Sequence, residues 1–484
     1  MTESGFRVAV IGAGASGIAT GIALMRAGIE DFAILEKASD LGGTWRDNSY
    51  PGLSCDVPSH LYRFSFAPNP DWTSHYSPGA EIQAYVRKVA RDFDVERYIR
   101  YDSEVTRAVF EKGRWRLSGA QGELGLFDAV ISATGVLHHP VYPDIAGLDR
   151  FAGSCFHSSR WDHGADLRGA RVGIIGTGST AIQILPAIVD EVAHVSLFQR
   201  TAQWIFDLPN PEIPEEKRAR FRDHPEEMDA LYAHLAARFN ATFAAAVVGE
   251  NQAALAEVTQ ACKDNLANNV HDPDLRARLT PDYRVGCKRL IVSDRFYPAI
   301  QKPNAALVDT AIDRIEPGGV RTVDGILHPL DVLVCATGFD PHAFVRPMTV
   351  IGRDGLSLER AWAEGNEAYR SVAIPDFPNF FLLGGPNSPI GNFSFLMTIE
   401  TQLAYVMQLL ELLRQGRARE VAPSHAATRA FNAELKASMS GTVWVTGCRS
   451  WYIDRNGNVA SWPWTFERFQ ADLERPVLAD FDMR

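Results

Sequence analysis

The sequence has no C-x-x-C pair, no low-complexity tract, no block of like charges and no uninterrupted apolar run of membrane-spanning length. Each absence excludes something. The six cysteines (Cys55, Cys155, Cys262, Cys287, Cys335 and Cys448) are scattered, which removes a dithiol active site of the disulfide-reductase kind and any zinc ribbon. They are expected to be free or buried thiols in a reducing cytoplasm, and no metal site is expected. A membrane span needs roughly 18 to 20 apolar residues in succession, and no stretch supplies them. A basic surplus is missing too: 48 Lys and Arg stand against 59 Asp and Glu, for a net charge of -11. That field has the wrong sign for a nucleic acid or an anionic membrane surface.

One stretch imitates a leader or a span. Phe6 to Met25 is nearly uncharged, but Gly12, Gly14, Gly17 and Gly21 interrupt it and no basic n-region precedes it. A strand, a tight glycine turn and a helix explain it better. The remaining composition, 46% apolar and 22% charged over 484 residues, is that of an ordinary globular chain long enough for two or three domains.

What is present is an internal echo. RVAVIGAGASGIATGIALMRAG followed by FAILEK returns later as RVGIIGTGSTAIQILPAI followed by VSLFQRT. Each copy is a β-branched run, a glycine turn, an apolar-periodic helix and a second strand, the βαβ unit of a dinucleotide-binding fold. In the first copy Gly12 permits the tight turn, Gly14 lets backbone approach a pyrophosphate, and Gly17 allows close packing of helix on strand. Gly176, Gly178 and Ala181 take those places in the second. Amides at the start of each helix, around Ser16 in one and Thr177, Ser179 and Thr180 in the other, then face the phosphates with the aid of the helix dipole. A lone G-x-G-x-x-G is weak evidence; two, each correctly flanked, are strong.

The ends of the second strands separate the ligands. Glu36, followed by Lys37, and Arg200, followed by Thr201, fall at the same offset after Gly12 and Gly176. A carboxylate accepts hydrogen bonds from a ribose diol. A guanidinium cannot accept them, but it pairs with a 2′-phosphate. A hydrogen bond to a charged group is worth about 1.5–3 kcal/mol, enough for about tenfold or more in cofactor preference. The first site is therefore assigned to FAD or another plain adenosine cofactor, and the second to NADPH over NADH.

DAVISATG, ending at Gly135, and DVLVCATGFD, carrying Gly338, read as the closing strands of the two units, and an antiparallel meander is expected between Glu104 and Gly125. The expected fold is α/β, with two Rossmann-like domains and the NADPH domain inserted in the FAD domain. Residues 1–150 form the first part of the FAD domain, 151–168 a linker, 169–340 the NADPH domain with a mainly helical insertion at about 208–283, and 341–484 the return to the FAD domain and a C-terminal segment.

The linker carries a resemblance. Phe151-Ala-Gly153-Ser-Cys-Phe-His157-Ser-Ser-Arg-Trp161-Asp162 fits F-x-G-x-x-x-H-x-x-x-W-[PD], and so resembles the fingerprint of the type I Baeyer–Villiger monooxygenases. Related N- and S-oxygenating flavin monooxygenases share its first part but usually lack the tryptophan. GGTWRDNSYPGLSCD looks like the family's flavin-side loop, which implies cofactor contacts for Gly43, Thr44, Trp45 and Asp56, with Tyr62 nearby. GCKRLIVSDRFYPAIQKPN looks like the segment bearing its active-site Lys-Arg pair, here Lys288 and Arg289. FFLLGGPNSP resembles the strand that returns a helix N-terminus towards the flavin and implies a contact from Asn387.

The resemblance implies a C4a-peroxyflavin that inserts one atom of O2 into a ketone to give an ester or lactone. Arg289 would stabilise negative charge, Asp56 would orient Arg289, and Lys288 would help hold the NADP phosphate. His157 is expected to couple the domains by hydrogen bonding rather than to act as a base, and Trp45, Tyr50 and Trp161 to pack and position. An N- or S-oxygenating enzyme, an NADPH oxidase or reductase and a flavin-binding sensor remain open at this point, as does the oligomeric state. The segment CRSWYIDRNGNVASWPWTF resembles sequences in several family members and receives no chemical role.

Overall fold

Short runs of Val, Ile, Ala and Phe with no polar alternation suit strands buried on both faces, and such strands pair in parallel under covering helices. The computed structural model, which describes residues 5–484, has two such sheets. In the first, β1 (Val8–Ile11) lies between β2 (Phe32–Leu35) and Ala129–Ser132, with Ile99–Arg100 outside β2 and Phe380–Leu382 outside Ala129–Ser132, all parallel. The helix α1 (Ala15–Arg26) connects β1 to β2. The outermost strand, Phe380–Leu382, arrives only after the whole second sheet has been built.

That second sheet repeats the plan. Its β3 (Arg171–Ile175) leads through α2 (Ser179–Ile188) to β4 (His194–Phe198). Ala305–Val308 pairs with β4, and Val332–Cys335 lies on the other side of β3. The edge is closed by Ser154–His157, which pairs in parallel with Val332–Cys335. The linker fingerprint is thus a strand of this sheet in its central part, not only a connection.

The meander expected after Glu104 comprises Arg107–Glu111, Arg114–Gly119 and Gly122–Phe127, antiparallel, and gains an unforeseen parallel neighbour in Thr349–Ile351. Trp115, on its middle strand, is fully buried, and its indole N–H donates to the Pro378 carbonyl at 2.8 Å, which satisfies the one polar atom that burial would strand. The Ala-, Glu- and Arg-rich stretch after Leu208 is mainly helical, its longest helices being Pro225–Phe239 and Gln252–Asn269. The long helix α3 (Phe395–Arg414) packs on α1. Trp444 and Trp462 of the C-terminal segment are sunk into the same core.

One expectation fails here. Cys287 and Cys448 are joined in a disulfide, while Cys55, Cys155, Cys262 and Cys335 are free. The pair is separated by 161 residues and has no local spacing signal, so only the return of the C-terminal segment brings it together. Among the described residues, no helix is long and apolar enough to cross a membrane.

Candidate active site

Both glycine turns open onto one cavity of about 670 Å³ at the carboxyl ends of the two parallel sheets, where doubly wound folds bind their ligands. The turns are built for close approach. Gly12 has φ +102°, and a Cβ there would meet the Ala133 carbonyl at 2.8 Å; one on Gly17 would lie 1.9 Å from the Gly12 carbonyl. Across the cleft, a Cβ on Gly43 would come within 3.1 Å of the Gly14 Cα. Gly176, at φ +115°, repeats the arrangement of Gly12 against the Ala336 carbonyl.

Gly14 and Gly178 stand at the N-caps of α1 and α2. Neither helix has a side-chain cap or an acidic residue in its first turn. Two sets of helix-terminal amides are therefore left for an external anion, as two pyrophosphates require. FAD and NADP fit these cradles on that ground.

Around the first turn, Ser16, Glu36, Lys37, Gly43, Thr44, Trp45 and Tyr62 all line the cavity. Glu36, buried at the end of β2, accepts from the Ala13 amide at 2.7 Å, the Ala38 amide at 3.0 Å and the Arg46 guanidinium at 3.0 Å. Burial opposes the charge of Arg46, but Asp47 and Glu36 outweigh it and hold the guanidinium above its ordinary value. Trp45 donates to the Tyr62 hydroxyl at 3.3 Å, and burial pushes the Tyr62 phenol up.

The second site is less enclosed. Gly178, Ser179 and Thr180 line the cavity, whereas Gly176, Thr177, Arg200, Thr201 and Lys288 lie outside its wall. Thr177 donates to the Thr201 carbonyl at 2.7 Å, fixing the turn to the end of the second strand. Lys288 rests over the Tyr283 ring at 4.8 Å. Burial and then the charge of Arg200 lower its ammonium below the usual lysine value, so the two cations share one electrostatic neighbourhood.

Between the sheets, Asp56 and Arg289 meet in the cavity. The Asp56 Oδ2 accepts from Nη2 at 2.6 Å and Nε at 3.1 Å, and Arg289 Nη1 donates to the Gly391 carbonyl. Burial works against the Arg289 charge, yet Asp56 and Tyr452 hold the guanidinium above its ordinary value. Tyr50 donates to the Gln183 side chain at 3.0 Å, and Gln183 donates to the Ser54 carbonyl at 3.0 Å, so α2 clamps the loop that carries Asp56.

The fingerprint residues lie elsewhere. His157 is fully buried; its Nδ1 accepts from the Ser159 amide at 3.1 Å, which leaves Nε2 to donate to the Gly338 carbonyl at 3.0 Å. Burial lowers its pKa, so the neutral ring is favoured. Phe151 packs in a satellite core beside the second sheet, and a Cβ on Gly153 would meet the Asp331 carbonyl at 2.1 Å. Trp161 meets the Phe156 ring edge-on at 5.0 Å, and Asp162 accepts from the Gly164 amide at 2.9 Å in a turn.

Asn387 lies outside the wall of the main cavity. Its backbone is left-handed (φ 61°), and its amide points away from the main cavity towards the Val459 and Ser461 carbonyls, 3.4 Å away. Ile390, Gly391, Phe393 and Phe395 face the cavity instead. Arg46, Gln183, Gly391, Trp451 and Tyr452 also went unassigned from the sequence. Arg46 had a signal, its place beside Thr44 and Trp45, but the others depend on contacts between distant segments.

A flavin-binding monooxygenase-like family model matches residues 5–212. The chain is 46% identical to an uncharacterized monooxygenase of Mycobacterium tuberculosis, over 99% of this chain and 96% of that one. It is 42% identical to a Baeyer–Villiger monooxygenase of Streptomyces coelicolor, over 99% and 92%. Among solved structures it resembles OTEMO in complex with FAD and NADP, with a TM-score of 0.89 at 26% identity and 99% coverage of both chains.

Proposed function

From the premise that this chain belongs to the flavin-binding monooxygenase family, alongside its Baeyer–Villiger members, we propose how its residues divide the conversion of a ketone and O2 to an ester or lactone. The enzyme depends on FAD and NADPH. The observation that carries the reading is the convergence of two uncapped helix N-termini and the Asp56–Arg289 pair on one cavity.

The first turn holds the FAD pyrophosphate at the α1 amides, with Glu36 accepting from the ribose. The second holds the NADPH pyrophosphate at the α2 amides, with Arg200 and Lys288 paired to the 2′-phosphate that relieves their mutual repulsion. Bound FAD, reduced by NADPH, supplies the activated oxygen. Arg289 provides a permanent positive charge where negative charge develops on the substrate carbonyl oxygen, and Asp56 and the Gly391 carbonyl fix its direction. Trp45, Tyr62, Ile390 and Phe393 keep water from the reacting atoms. His157, neutral and with both ring nitrogens engaged, exchanges no proton with substrate; it fastens the linker strand to the Gly338 turn. NADPH is a cytoplasmic reductant, and this reading places the enzyme there.

The test is product analysis of the FAD-loaded enzyme with NADPH and a panel of cyclic, linear and aryl ketones, run beside a thioether. Esters or lactones formed in step with NADPH consumption support the reading. Sulfoxide alone would turn it into an S-oxygenating enzyme, and peroxide alone into an oxidase.

A further inference from the structure

Arg289 is hydrogen-bonded from two directions, by Asp56 of the flavin-side loop and by the Gly391 carbonyl on the approach to α3, and the Tyr452 hydroxyl of the C-terminal segment lies close by. A Cβ on Gly391 would lie 2.5 Å from the Tyr452 hydroxyl oxygen and 3.1 Å from Arg289 Nη1, so these atoms converge on a place that only glycine leaves open. Tyr452 is buried, and Trp451 beside it lines the cavity.

The Tyr452 ring is buried against Trp444 and its carbonyl accepts from the Ala460 amide at 2.7 Å, but neither its segment nor that of Arg289 belongs to a helix or an extended sheet at this point. Arg289 precedes the two-residue strand Ile291–Val292, and Tyr452 sits in an irregular run whose ladder consists of the single bridge Ile453–Val459. What joins the two segments covalently is the Cys287–Cys448 disulfide. Cys287 is separated from Arg289 by Lys288 alone, and Cys448 opens the turn that leads to Tyr452. The cross-link and the polar contact are thus neighbouring rungs between the same two strings of residues.

We propose that the Cys287–Cys448 disulfide is a thiol-responsive site which, through Tyr452, sets how firmly Arg289 is held and therefore how much oxygenated product forms per NADPH. Its consequence for activity rests on the monooxygenase reading above. Cys287 is fully buried, while Cys448 is partly exposed between exposed Gly447 and Arg449. A dithiol therefore attacks at Cys448. One of its thiolates forms a mixed disulfide with the Cys448 sulfur, the bond to Cys287 breaks, and Cys287 leaves as a thiolate that takes up a proton. The second dithiol sulfur then displaces Cys448, which is protonated in turn. The protein gains two electrons and two protons, and the dithiol becomes a cyclic disulfide. Once the tie is cut, the Tyr452 hydroxyl is free to shift away from Arg289, leaving the guanidinium on Asp56 and Gly391 alone. Tyr452 is a positioning residue in this scheme, acting through Arg289.

The experiment uses FAD-loaded enzyme purified without reductant, with and without dithiothreitol treatment. Alkylation after quenching and unfolding in denaturant, read by mass, is expected to modify four cysteines before treatment and six after it. Reduction should raise hydrogen exchange across residues 446–462 and lower product per NADPH severalfold. Cys448→Ser should reproduce both effects without dithiol. Tyr452→Phe, which keeps the ring and loses only the hydroxyl, should lower product per NADPH by the same factor at an unchanged KM for NADPH. Dithiol should lower it no further. Six alkylated cysteines before treatment would overturn the proposal. So would reduction that leaves exchange and coupling unchanged, or wild-type coupling in Tyr452→Phe, which would make the ring a packing group only. If untreated enzyme oxygenates no ketone, the activity reading fails instead, while alkylation and exchange still report whether the bond responds to thiol and ties the segment.

Discussion

Replacing Asp56 by Asn removes one charge and almost no volume, and isolates the electrostatic part of the Arg289 clamp. The Asp56 Oδ2 alone receives both Nη2 and Nε, at 2.6 and 3.1 Å, so a single oxygen carries the whole contact. At such a separation the gross attraction at an effective dielectric of 20 is roughly 5 kcal/mol. The two side chains are 27% and 25% exposed, and water screens part of that. The net loss is better taken as that of a hydrogen bond to a charged group, about 1.5–3 kcal/mol. At about 1.4 kcal/mol per decade this is a roughly 10- to 100-fold fall in the rate of ester formation, provided Arg289 works only when aimed. FAD should stay bound, because Asp56 is not among the groups assigned to hold its phosphates. The assay follows ester release by chromatography and NADPH loss by absorbance in the same vessel, so that lost coupling is distinguished from lost reduction. A variant that makes ester at the wild-type rate would refute the argument that Asp56 positions Arg289.

Three further outcomes follow from the geometry. Arg200→Ala should raise the KM for NADPH about tenfold or more while barely changing that for NADH, since only the former has a 2′-phosphate to lose; equal changes in steady-state kinetics would remove the role. Gly17→Ala would put a Cβ 1.9 Å from the Gly12 carbonyl, so the purified variant should lack the flavin absorption band, and normal flavin content would contradict the turn's packing role. Burial, with the charge of Arg63, lowers the His60 pKa from 6.5 to about 4. The unfolded chain therefore binds the proton first, and stability present above about pH 6.5 is lost as pH falls towards 4, on the order of 3 kcal/mol for such a shift. Thermal melts at pH 7 and 5 should show a smaller fall in Tm for His60→Phe than for the wild type, and an identical fall would refute the assignment.

The two βαβ units were legible because their signals are local. A buried run such as VAVI, a glycine that must take positive φ and a helix that follows at once all lie within one short window, and tertiary packing does not override them. The opposite charges of Glu36 and Arg200 were legible for the same reason, since the echo supplied an internal alignment. The linker was read less well. Its motif marked a boundary, but Ser154–His157 is too short to announce itself as a strand, and its neighbour Val332–Cys335 lies far along the chain. Of the cysteines, the four free ones match the expectation and the Cys287–Cys448 pair does not, because a bridge spanning 161 residues leaves no spacing to read.

The contrast bears on where substrate choice resides. Residues fixed by the glycine turns answer to the cofactors, whose shape does not change from one ketone to the next, and a Cβ added at Gly12 or Gly17 strikes backbone. Ile390, Phe393, Phe395 and Trp451 border the same cavity from irregular stretches or from the first turn of α3, and replacing one side chain there disturbs no ladder of backbone hydrogen bonds. Exchanging Phe393 for Ala removes a ring stacked on Phe466 at 3.7 Å and enlarges the cavity that also holds the Asp56–Arg289 pair. The expected outcome in competition assays is a shift of kcat/KM towards bulkier ketones at unchanged flavin content and NADPH KM. A uniform loss for every ketone would mean that this wall supports the fold and does not select the substrate.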